Sequence, residues 1–272
     1  MDTTLHSQSV QATMLLPLWG RAKYSAENKN ILDDVDARRI VESSGLDFSH
    51  VEKGFGEFSG ICYIARARKI DDAVRSYISR HPKATVVNIG AGLDTSFSRV
   101  DNGQIHWYNL DLPDSIAFRR SYLPDSERNT CIAKSFLDLS WFDDVDFLPE
   151  NGIIFVSGGV FYYFHEEDLQ RIFSAMAERF PGGELYFDAE SPIAVKGSNK
   201  MVQKTGNKGA MMYFAVKDAK ALETWSPRIK LIACEAPFKG FPIAKHWSFR
   251  CRMTCRLGNL MKPMKYVHLG FL

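Results

Sequence analysis

Two glycines and one acidic residue lie at a spacing that suits the binding of a nucleoside. Gly90 and Gly92 follow the short apolar run ATVVNI at residues 84–89, and Asp111 lies 21 residues after Gly90. Because glycine has no Cβ, such a loop lets the backbone approach a ligand closely. A carboxylate can accept hydrogen bonds from both hydroxyls of an adenosine ribose. The pattern therefore favours a nucleoside cofactor, and a simple tight turn is the alternative.

Two classes of nucleoside cofactor compete for this loop. The dinucleotide fingerprint reads G-x-G-x-x-G, but here Thr95 stands where the third glycine would be. A dinucleotide also needs a helix N-terminus directed at its pyrophosphate. S-adenosylmethionine has no phosphate and presents an amino-acid head group instead. The loop therefore favours S-adenosylmethionine over a nicotinamide dinucleotide, and an oxidoreductase is the less favoured hypothesis.

Elements that would position these residues alternate along the middle of the chain, which is typical of a parallel sheet with helices on both faces. Predicted strands span residues 84–89, 106–110, 130–134, 152–158, 184–188, 230–236 and 265–271. Predicted helices span residues 33–42, 61–78, 113–122 and 166–179. Ligands of an open α/β sheet bind beyond the carboxyl ends of the strands. The site is therefore expected at residues 90–92, Asp111, Asp138 and residues 157–159.

Composition excludes several classes of protein. The chain has 272 residues, of which 45% are hydrophobic and 24% are charged, as in ordinary globular proteins. The longest nearly apolar run, residues 152–164, is shorter than the roughly 20 residues of a membrane-spanning helix. The N-terminus lacks the basic start and apolar stretch of a secretory signal. Five scattered cysteines predict a reducing cytoplasm rather than a disulfide framework, and Cys251 and Cys255 do not have the spacing of a metal site.

The segment from Lys239 to the C-terminus is uniformly basic. It contains seven Lys or Arg residues and no Asp or Glu. Such a segment suits nucleic acid, a membrane surface or an anionic small molecule. No nucleic-acid motif accompanies it, so a solvated face is the favoured interpretation. The expected partner is a small molecule that can be anionic, with neither nucleic acid nor membrane.

Five longer motifs carry a family resemblance. They read VVNIGAGLDTSFSR, WYNLDLPDSIAFRR, FLDLSWFDDV, GVFYYFHEEDL and AERFPGGELYFDA. In order and spacing they resemble the tetracenomycin polyketide O-methyltransferase family, which is related to the leucine carboxyl methyltransferases. The resemblance runs from about Arg21 to the C-terminus. It implies a Rossmann-like class I methyltransferase fold, with a mostly parallel seven-stranded sheet, a helical lid over residues 1–80 and a cofactor-binding core over residues 81–272.

The resemblance also implies roles for the glycine loop and its neighbour. Gly90, Ala91 and Gly92 match the loop that passes under the methionine part of S-adenosylmethionine. Asp111, which Leu112 follows, matches the acid that binds the ribose. These roles agree with the interpretation that the glycine spacing alone supports.

Further cofactor contacts follow from the same resemblance. Asp138 and Leu139 match a pair that contacts the adenine. Arg66 matches an arginine that binds the cofactor carboxylate, a task for which a bidentate guanidinium is well suited. Lys23 falls in a lysine position of the lid. Residues 249–257 alternate like a strand but match a helical stretch of the family, so we predict a helix there.

The chain departs from the family after the fourth strand. Where the family has an acidic residue in E-G-V, this chain has Gly158 in S-G-G-V, preceded by Ser157. The family's acid would meet the ammonium or nearby polar atoms of the cofactor. A protein that binds S-adenosylmethionine or S-adenosylhomocysteine without turnover is therefore the alternative to an enzyme. Tyr163 matches a site position and is the candidate for the acceptor pocket.

These features together predict an S-adenosylmethionine-dependent O-methyltransferase that acts on a small-molecule carboxylate or hydroxyl. Methyl transfer is an in-line displacement that depends mainly on positioning and on exclusion of water. The absence of an evident catalytic dyad is therefore compatible with it. A carboxylate acceptor is favoured because the related enzymes make esters, because no general base is evident after the fourth strand, and because the C-terminal segment is basic.

Overall fold

A seven-stranded sheet is the centre of the protein, of which the computed structural model describes residues 10–49, 56–205 and 211–272. The strands are β1 (Thr85–Ile89), β2 (His106–Asp111), β3 (Asn129–Ala133), β4 (Ile153–Ser157), β5 (Glu184–Glu190), β6 (Ile229–Glu235) and β7 (Met264–Phe271). Their order in the sheet is β3-β2-β1-β4-β5-β7-β6. Only β7 runs antiparallel to its two neighbours. The predicted α/β class and mostly parallel sheet are confirmed.

Helices lie on both faces of this sheet. The described α-helices are α1 (Val10–Glu27), α2 (Val35–Ser43), α3 (Glu57–Ile78), α4 (Ser96–Val100), α5 (Pro113–Arg120), α6 (Glu166–Arg179), α7 (Pro192–Thr205) and α8 (Phe249–Met261). Val87 and Phe155 share one apolar cluster with residues of α6. Val86 and Ile154 share another with residues of α3. Because β1 and β4 are covered on both faces, every residue in them is buried, which explains their continuous apolar runs.

The helix over residues 249–257 confirms the preferred prediction against the local alternation. The side chain of Ser248 caps the N-terminus of α8 by accepting a hydrogen bond from the Cys251 backbone N–H at 3.1 Å. Cys251, Cys255 and Gly258 bury one face of the helix, and both cysteines join an apolar cluster with residues of α3. Tertiary packing therefore overrides the strand-like alternation.

Other boundaries differ by a few residues, and no range was predicted for three helices. The helix α5 ends at Arg120 rather than at Tyr122, while α3 begins at Glu57, four residues before the predicted start. The helices without a predicted range are α1, α4 and α7. Helix α1 contains Pro17 and has apolar residues around much of its circumference, so it lacks the clear apolar stripe by which a helix is recognised in a sequence.

The N-terminal helices pack on one another and on the sheet. Helix α1 contacts α2 and α3, and α3 in turn contacts β4 and β5. The division into a lid over residues 1–80 and a core over residues 81–272 remains a proposal, and residues 1–9 and 50–55 of that lid lie outside the described residues. No described helix has the length and apolar character needed to cross a membrane.

Candidate functional site

A cleft opens where β1 and β4 end. Its lining comes from α1, α3, the glycine loop after β1 and the loop after β4. The lining includes Arg21, Tyr63, Arg66, Gly90 and Gly158. The cleft therefore lies at the edge of the sheet where the sequence predicted a site.

The glycine loop needs glycine at two positions. Gly90 has φ +67° and Gly92 has φ +44°, a region that side chains with a Cβ rarely adopt. A Cβ on Gly90 would also collide with the side chain of Val160. The backbone N–H groups of Gly90 and Ala91 donate to the carbonyl oxygen of Leu110, at 2.8 and 3.2 Å. The loop is thus fixed against β2, with bare backbone beside the cleft.

Asp111 ends β2 and holds this loop. Its Oδ2 accepts a hydrogen bond from the Gly92 N–H at 2.8 Å, and its Oδ1 accepts one from the Leu112 N–H at 2.7 Å. Burial raises the pKa of the Asp111 carboxyl, and these two hydrogen bonds oppose that rise. A carboxylate has about four acceptor positions, so Asp111 keeps the capacity to accept from two hydroxyls of a ligand.

Arg119 supports the same loop from α5, and sequence reasoning missed it. Its Nη1 donates to the carbonyl oxygens of Gly92 and Asp94, at 2.9 and 2.7 Å. The side chain is buried. Nothing in the sequence distinguishes Arg119 from its neighbour Arg120, because the distinction comes only from which of the two faces the loop.

Asp138 and Leu139 follow β3, the neighbour of β2 in the sheet. Asp138 is exposed and caps the short 3₁₀ helix Leu139–Asp144, accepting a hydrogen bond at Oδ1 from the Ser140 N–H at 3.0 Å. That hydrogen bond lowers the pKa of Asp138. The predicted contact with adenine remains a proposal, and the carboxylate it needs is ionised and accessible.

Arg66 reaches the cleft from α3 and faces a buried carboxylate. Its Nη2 lies 2.8 Å from Oδ2 of Asp188, near the end of β5. Burial opposes the charge on Arg66, but the Asp188 carboxylate outweighs burial and raises the pKa of the guanidinium. Among the described residues, the Nε of Arg66 is buried without a hydrogen-bond partner. A donor of this kind at a cleft is suited to an acceptor that a ligand brings.

A buried charge network ties the N-terminal helices to the glycine loop. The Arg21 guanidinium donates to the Leu93 carbonyl at 2.7 Å and to Oδ2 of Asp34 at 2.9 Å. Thr95 Oγ1 donates to Asp34 at 2.8 Å, and Arg99 Nη1 lies 3.0 Å from the same carboxylate. Burial raises the pKa of Asp34, but Arg99 and Arg21 outweigh burial, so the pKa is lowered. This network connects α1, α2 and α4 directly behind the loop.

The remaining predicted residues lie at different distances from the cleft. Gly158 lines it, while Ser157 ends β4 and donates its hydroxyl to the Ile89 carbonyl at 3.1 Å. Tyr163 is 40% exposed and stacks edge-on against Tyr162. Lys23 lies on α1 with its Nζ 4.8 Å from the centre of the Trp19 ring, and it does not belong to the lining of the cleft.

Glu190 is a second acidic residue that the sequence did not single out. It ends β5, is half-buried, and accepts a hydrogen bond from Ser198 Oγ at 3.4 Å. Burial and the nearby Asp188 carboxylate raise its pKa. Burial also raises the pKa of Tyr163, and the charge of Glu190 adds to that rise. The carboxylates of Asp188 and Glu190, near the C-terminal end of β5, therefore lie close enough to Tyr163 to influence it.

Two solved structures with a similar architecture are described as methyltransferases. A putative methyltransferase from Thermobifida fusca YX has a TM-score of 0.58, with 12% identity and coverage of 93% of both chains. Magnesium protoporphyrin IX methyltransferase from Synechocystis PCC 6803, solved with bound S-adenosylhomocysteine, has a TM-score of 0.50 and 9% identity, and covers 86% of this chain and 98% of that one. The fold is therefore the class I methyltransferase fold that was predicted.

A sequence relative and a family model identify the family more narrowly. The tetracenomycin polyketide synthesis O-methyltransferase TcmP of Streptomyces glaucescens is 26% identical over 232 residues, which cover 85% of this chain and 84% of that protein. The model of the leucine carboxyl methyltransferase family matches residues 15–177. Since that match spans more than half of the chain, the protein belongs to the leucine carboxyl methyltransferase family.

Proposed function

We propose that this chain is an S-adenosylmethionine-dependent O-methyltransferase with a small-molecule acceptor. S-adenosylmethionine is the predicted cofactor, and both the family and the class I methyltransferase fold support it. When bound, it supplies an electrophilic methyl group carried by a sulfonium. The observation that carries the proposal is that one cleft is lined by both Gly90 and Arg66, which has an unpartnered donor, while the Asp111 carboxylate holds the same glycine loop through the Gly92 N–H.

These residues fit the parts of the cofactor. Arg66 Nε lacks a partner among the described residues, and a carboxylate is the acceptor with which guanidinium pairs best. Asp111 keeps free acceptor positions for the ribose hydroxyls. Gly90 lines the cleft, and a Cβ there would collide with Val160, so only glycine allows this close packing of the loop. In this proposal Asp138 and Leu139 hold the adenine.

For the acceptor, the charges around the site favour a neutral hydroxyl over a carboxylate. Both arginines in the described lining of the cleft already face carboxylates: Arg21 faces Asp34 at 2.9 Å and Arg66 faces Asp188 at 2.8 Å. The Glu190 carboxylate at the end of β5 adds negative charge on the side of Tyr163. An anionic acceptor would therefore meet repulsion rather than an available cation.

A hydroxyl acceptor must lose a proton, and Glu190 can accept it. Its raised pKa brings the carboxylate closer to the range in which a general base is effective near neutral pH. In this proposal Glu190 takes the hydroxyl proton while Tyr163 lines the pocket. The basic C-terminal segment, which favoured a carboxylate acceptor, has three of its seven basic residues on α8, and none of its residues belongs to the described lining of the cleft.

A carboxylate acceptor is the second candidate, because the family to which the chain belongs is named for carboxyl methylation. The relative TcmP is described as an O-methyltransferase of polyketide synthesis, which supports oxygen as the accepting atom in both candidates. We place the protein in the cytoplasm, acting on a small molecule with neither nucleic acid nor membrane as partner.

Thermal denaturation with candidate cofactors tests the proposal. Millimolar S-adenosylmethionine or S-adenosylhomocysteine is expected to raise Tm, because a ligand that binds only the folded state stabilises it by mass action. NAD serves as the control and is expected to leave Tm unchanged. A shift with NAD alone would contradict the assignment. Binding of the sulfur nucleosides without transfer of labelled methyl to any compound of a cell extract would favour the alternative without turnover.

A further inference from the structure

Asp188 links Arg66 to the loop after β4. It lies on β5 and is only 2% exposed. Its Oδ1 accepts a hydrogen bond from the Gly159 N–H at 2.6 Å, while its Oδ2 lies 2.8 Å from Arg66 Nη2. One buried carboxylate therefore holds both a side chain and a backbone segment that border the cleft.

Gly158 packs closely against α3. A Cβ on Gly158 would lie 2.8 Å from Ile70 Cδ1 and 3.0 Å from Arg66 Cδ, so any side chain there would require these two to shift. The stem of Arg66 and the side chain of Ile70 occupy that space. At this level of the sheet, a buried carboxylate comes instead from the neighbouring strand β5.

The pairing of β4 with β5 places Asp188 beside Gly158. Strand β4 pairs in parallel with β5, and Ser157 is opposite Phe187. The next residue on each strand is Gly158 on one and Asp188 on the other. Asp188 therefore lies beside Gly158 on the neighbouring strand and next to the same loop.

We propose that Asp188 is a positioning residue for the amino-acid head group of the cofactor. It acts through Arg66, whose guanidinium it orients, and through the N–H of Gly159, whose loop it fixes. The Arg66–Asp188 pair has no net charge, which suits a zwitterionic head group. This inference rests on the proposed function and assigns the part of the site that holds one end of the cofactor.

The test compares two ligands, one with and one without the amino-acid head group. S-adenosylhomocysteine carries the amino-acid head group, whereas 5′-methylthioadenosine keeps the adenosine and the thioether without it. By calorimetry, Asp188→Asn is expected to weaken S-adenosylhomocysteine about tenfold or more, the size expected for a lost charged hydrogen bond, and to change 5′-methylthioadenosine by less than about twofold. Equal losses for both ligands, or no loss for either, would overturn the inference.

Two further variants separate positioning from general damage. Asp188→Glu keeps the charge but moves it by one methylene, so it is expected to fold and to recover part of the affinity for S-adenosylhomocysteine. If Asp188→Asn does not fold, Asp188→Glu provides the test. A ratio of the affinities for the two ligands equal to that of the parent would then overturn the inference. Asp71→Asn is the matched control, because Asp71 is also a buried carboxylate facing an arginine, Arg99, at 2.7 Å. It is expected to lower Tm and to leave the ratio of the two affinities unchanged.

Failure of this inference can be told apart from failure of the proposed function. A parent protein that binds neither ligand contradicts the proposed function, and the inference falls with it. A parent that binds both, together with an Asp188→Asn variant of unchanged affinity ratio, contradicts only the role of Asp188.

Discussion

The side chains at the cleft are fixed largely by backbone groups, and Asp111 shows the consequence. Its Oδ2 already accepts from the Gly92 N–H of the glycine loop, and its Oδ1 from the N–H of Leu112, the next residue in the chain. The same atoms that would bind a ribose therefore also shape the loop beneath the ligand. A substitution at Asp111 removes two contributions together, whereas the exposed Asp138 only caps a 3₁₀ turn.

Asp111→Ala is therefore expected to weaken S-adenosylhomocysteine more than Asp138→Ala. A hydrogen bond to a charged group contributes about 1.5–3 kcal/mol, so a loss of at least roughly tenfold is expected at Asp111. Calorimetry on both variants measures the difference. Asp111→Asn is the matched control for size, and we expect it to retain part of the affinity. Binding by Asp111→Ala equal to that of the parent would remove Asp111 from the site.

Residues at strand ends could be predicted, while residues that act through long-range contacts could not. Gly90 and Asp111 come directly after or at the end of strands whose apolar runs mark them in the sequence. Asp188 and Arg119 have no such mark, because their roles depend on partners from other elements. Arg66 was found only through a family resemblance. It lies on α3, which is distant in the sequence from the glycine loop and from the loop after β4.

At the scale of helices and strands, the buried carboxylate of Asp34 joins three helices behind the glycine loop. It caps α2 by accepting from the Ala37 N–H, and it faces Arg21 of α1 and Arg99 of α4. Removing one partner of a buried ion pair leaves the other charge without compensation. The attachment of the N-terminal helices to the core therefore depends strongly on this one carboxylate.

Asp34→Asn is expected to reduce the free energy of unfolding by about 3–5 kcal/mol, as for other broken buried ion pairs. Asp36→Asn, two residues along in α2, is the matched control. Asp36 pairs with Arg39 at the surface, and such pairs contribute at most about 1 kcal/mol. Urea denaturation of both variants measures the difference. Equal losses would show that the network contributes no more than a surface pair does.

The same network predicts a pH dependence. Since the pKa of Asp34 lies below its ordinary value of 3.8, its stabilisation is complete above that value and is lost as the pH falls through the lower, folded-state pKa. The difference in stability between the parent and Asp34→Asn should therefore be constant near neutral pH and shrink below about pH 4. Denaturation at a series of pH values measures this, and a difference that shrinks already between pH 7 and 5 would contradict it.

Helices and strands could be predicted where one hydrophobic pattern dominates the sequence. Helix α6 matches its predicted range of 166–179 because its apolar residues form a single stripe and Pro181 follows its end. Strand β4 was clear because it is buried on both faces. Helix α1 was missed since its apolar residues surround it, and α8 could be assigned only by weighing its alternation against its length and family match.

At the scale of the whole molecule, the strand order gathers distant sequence at one edge of the sheet. Strands β2, β1, β4 and β5 are neighbours. Near or just beyond the carboxyl ends of these consecutive strands lie Asp111, Gly90, Gly158 and Asp188. The first three were expected at that edge from the alternation of strands and helices. The charge balance there could not be predicted, because it depends on Asp188 and Glu190 lying beside a loop more than 25 residues away in the sequence.

That charge balance leads to a prediction about the product. Methyl groups transferred from labelled cofactor to compounds of an extract are expected to survive mild alkali, because two carboxylates beside the site favour a neutral hydroxyl acceptor and hence an ether. A methyl ester would instead release volatile methanol. Volatile label would contradict the hydroxyl assignment and favour a carboxylate acceptor.

A variant of Glu190 connects this product to the mechanism. If Glu190 takes the proton of a hydroxyl, Glu190→Gln should lower the rate of transfer by about 10²-fold or more, the contribution typical of a general base, while the affinity for S-adenosylhomocysteine stays close to that of the parent. Glu184→Gln at the opposite end of β5 is the matched control for loss of a carboxylate from the same strand, where Glu184 pairs with Arg80 and His268. An acceptor that is already ionised needs no base, so a Glu190→Gln variant with undiminished transfer would contradict this role and agree with an ester product. The alkali test and the Glu190 variant thus examine the same arrangement of charges, the first through the product and the second through the protein.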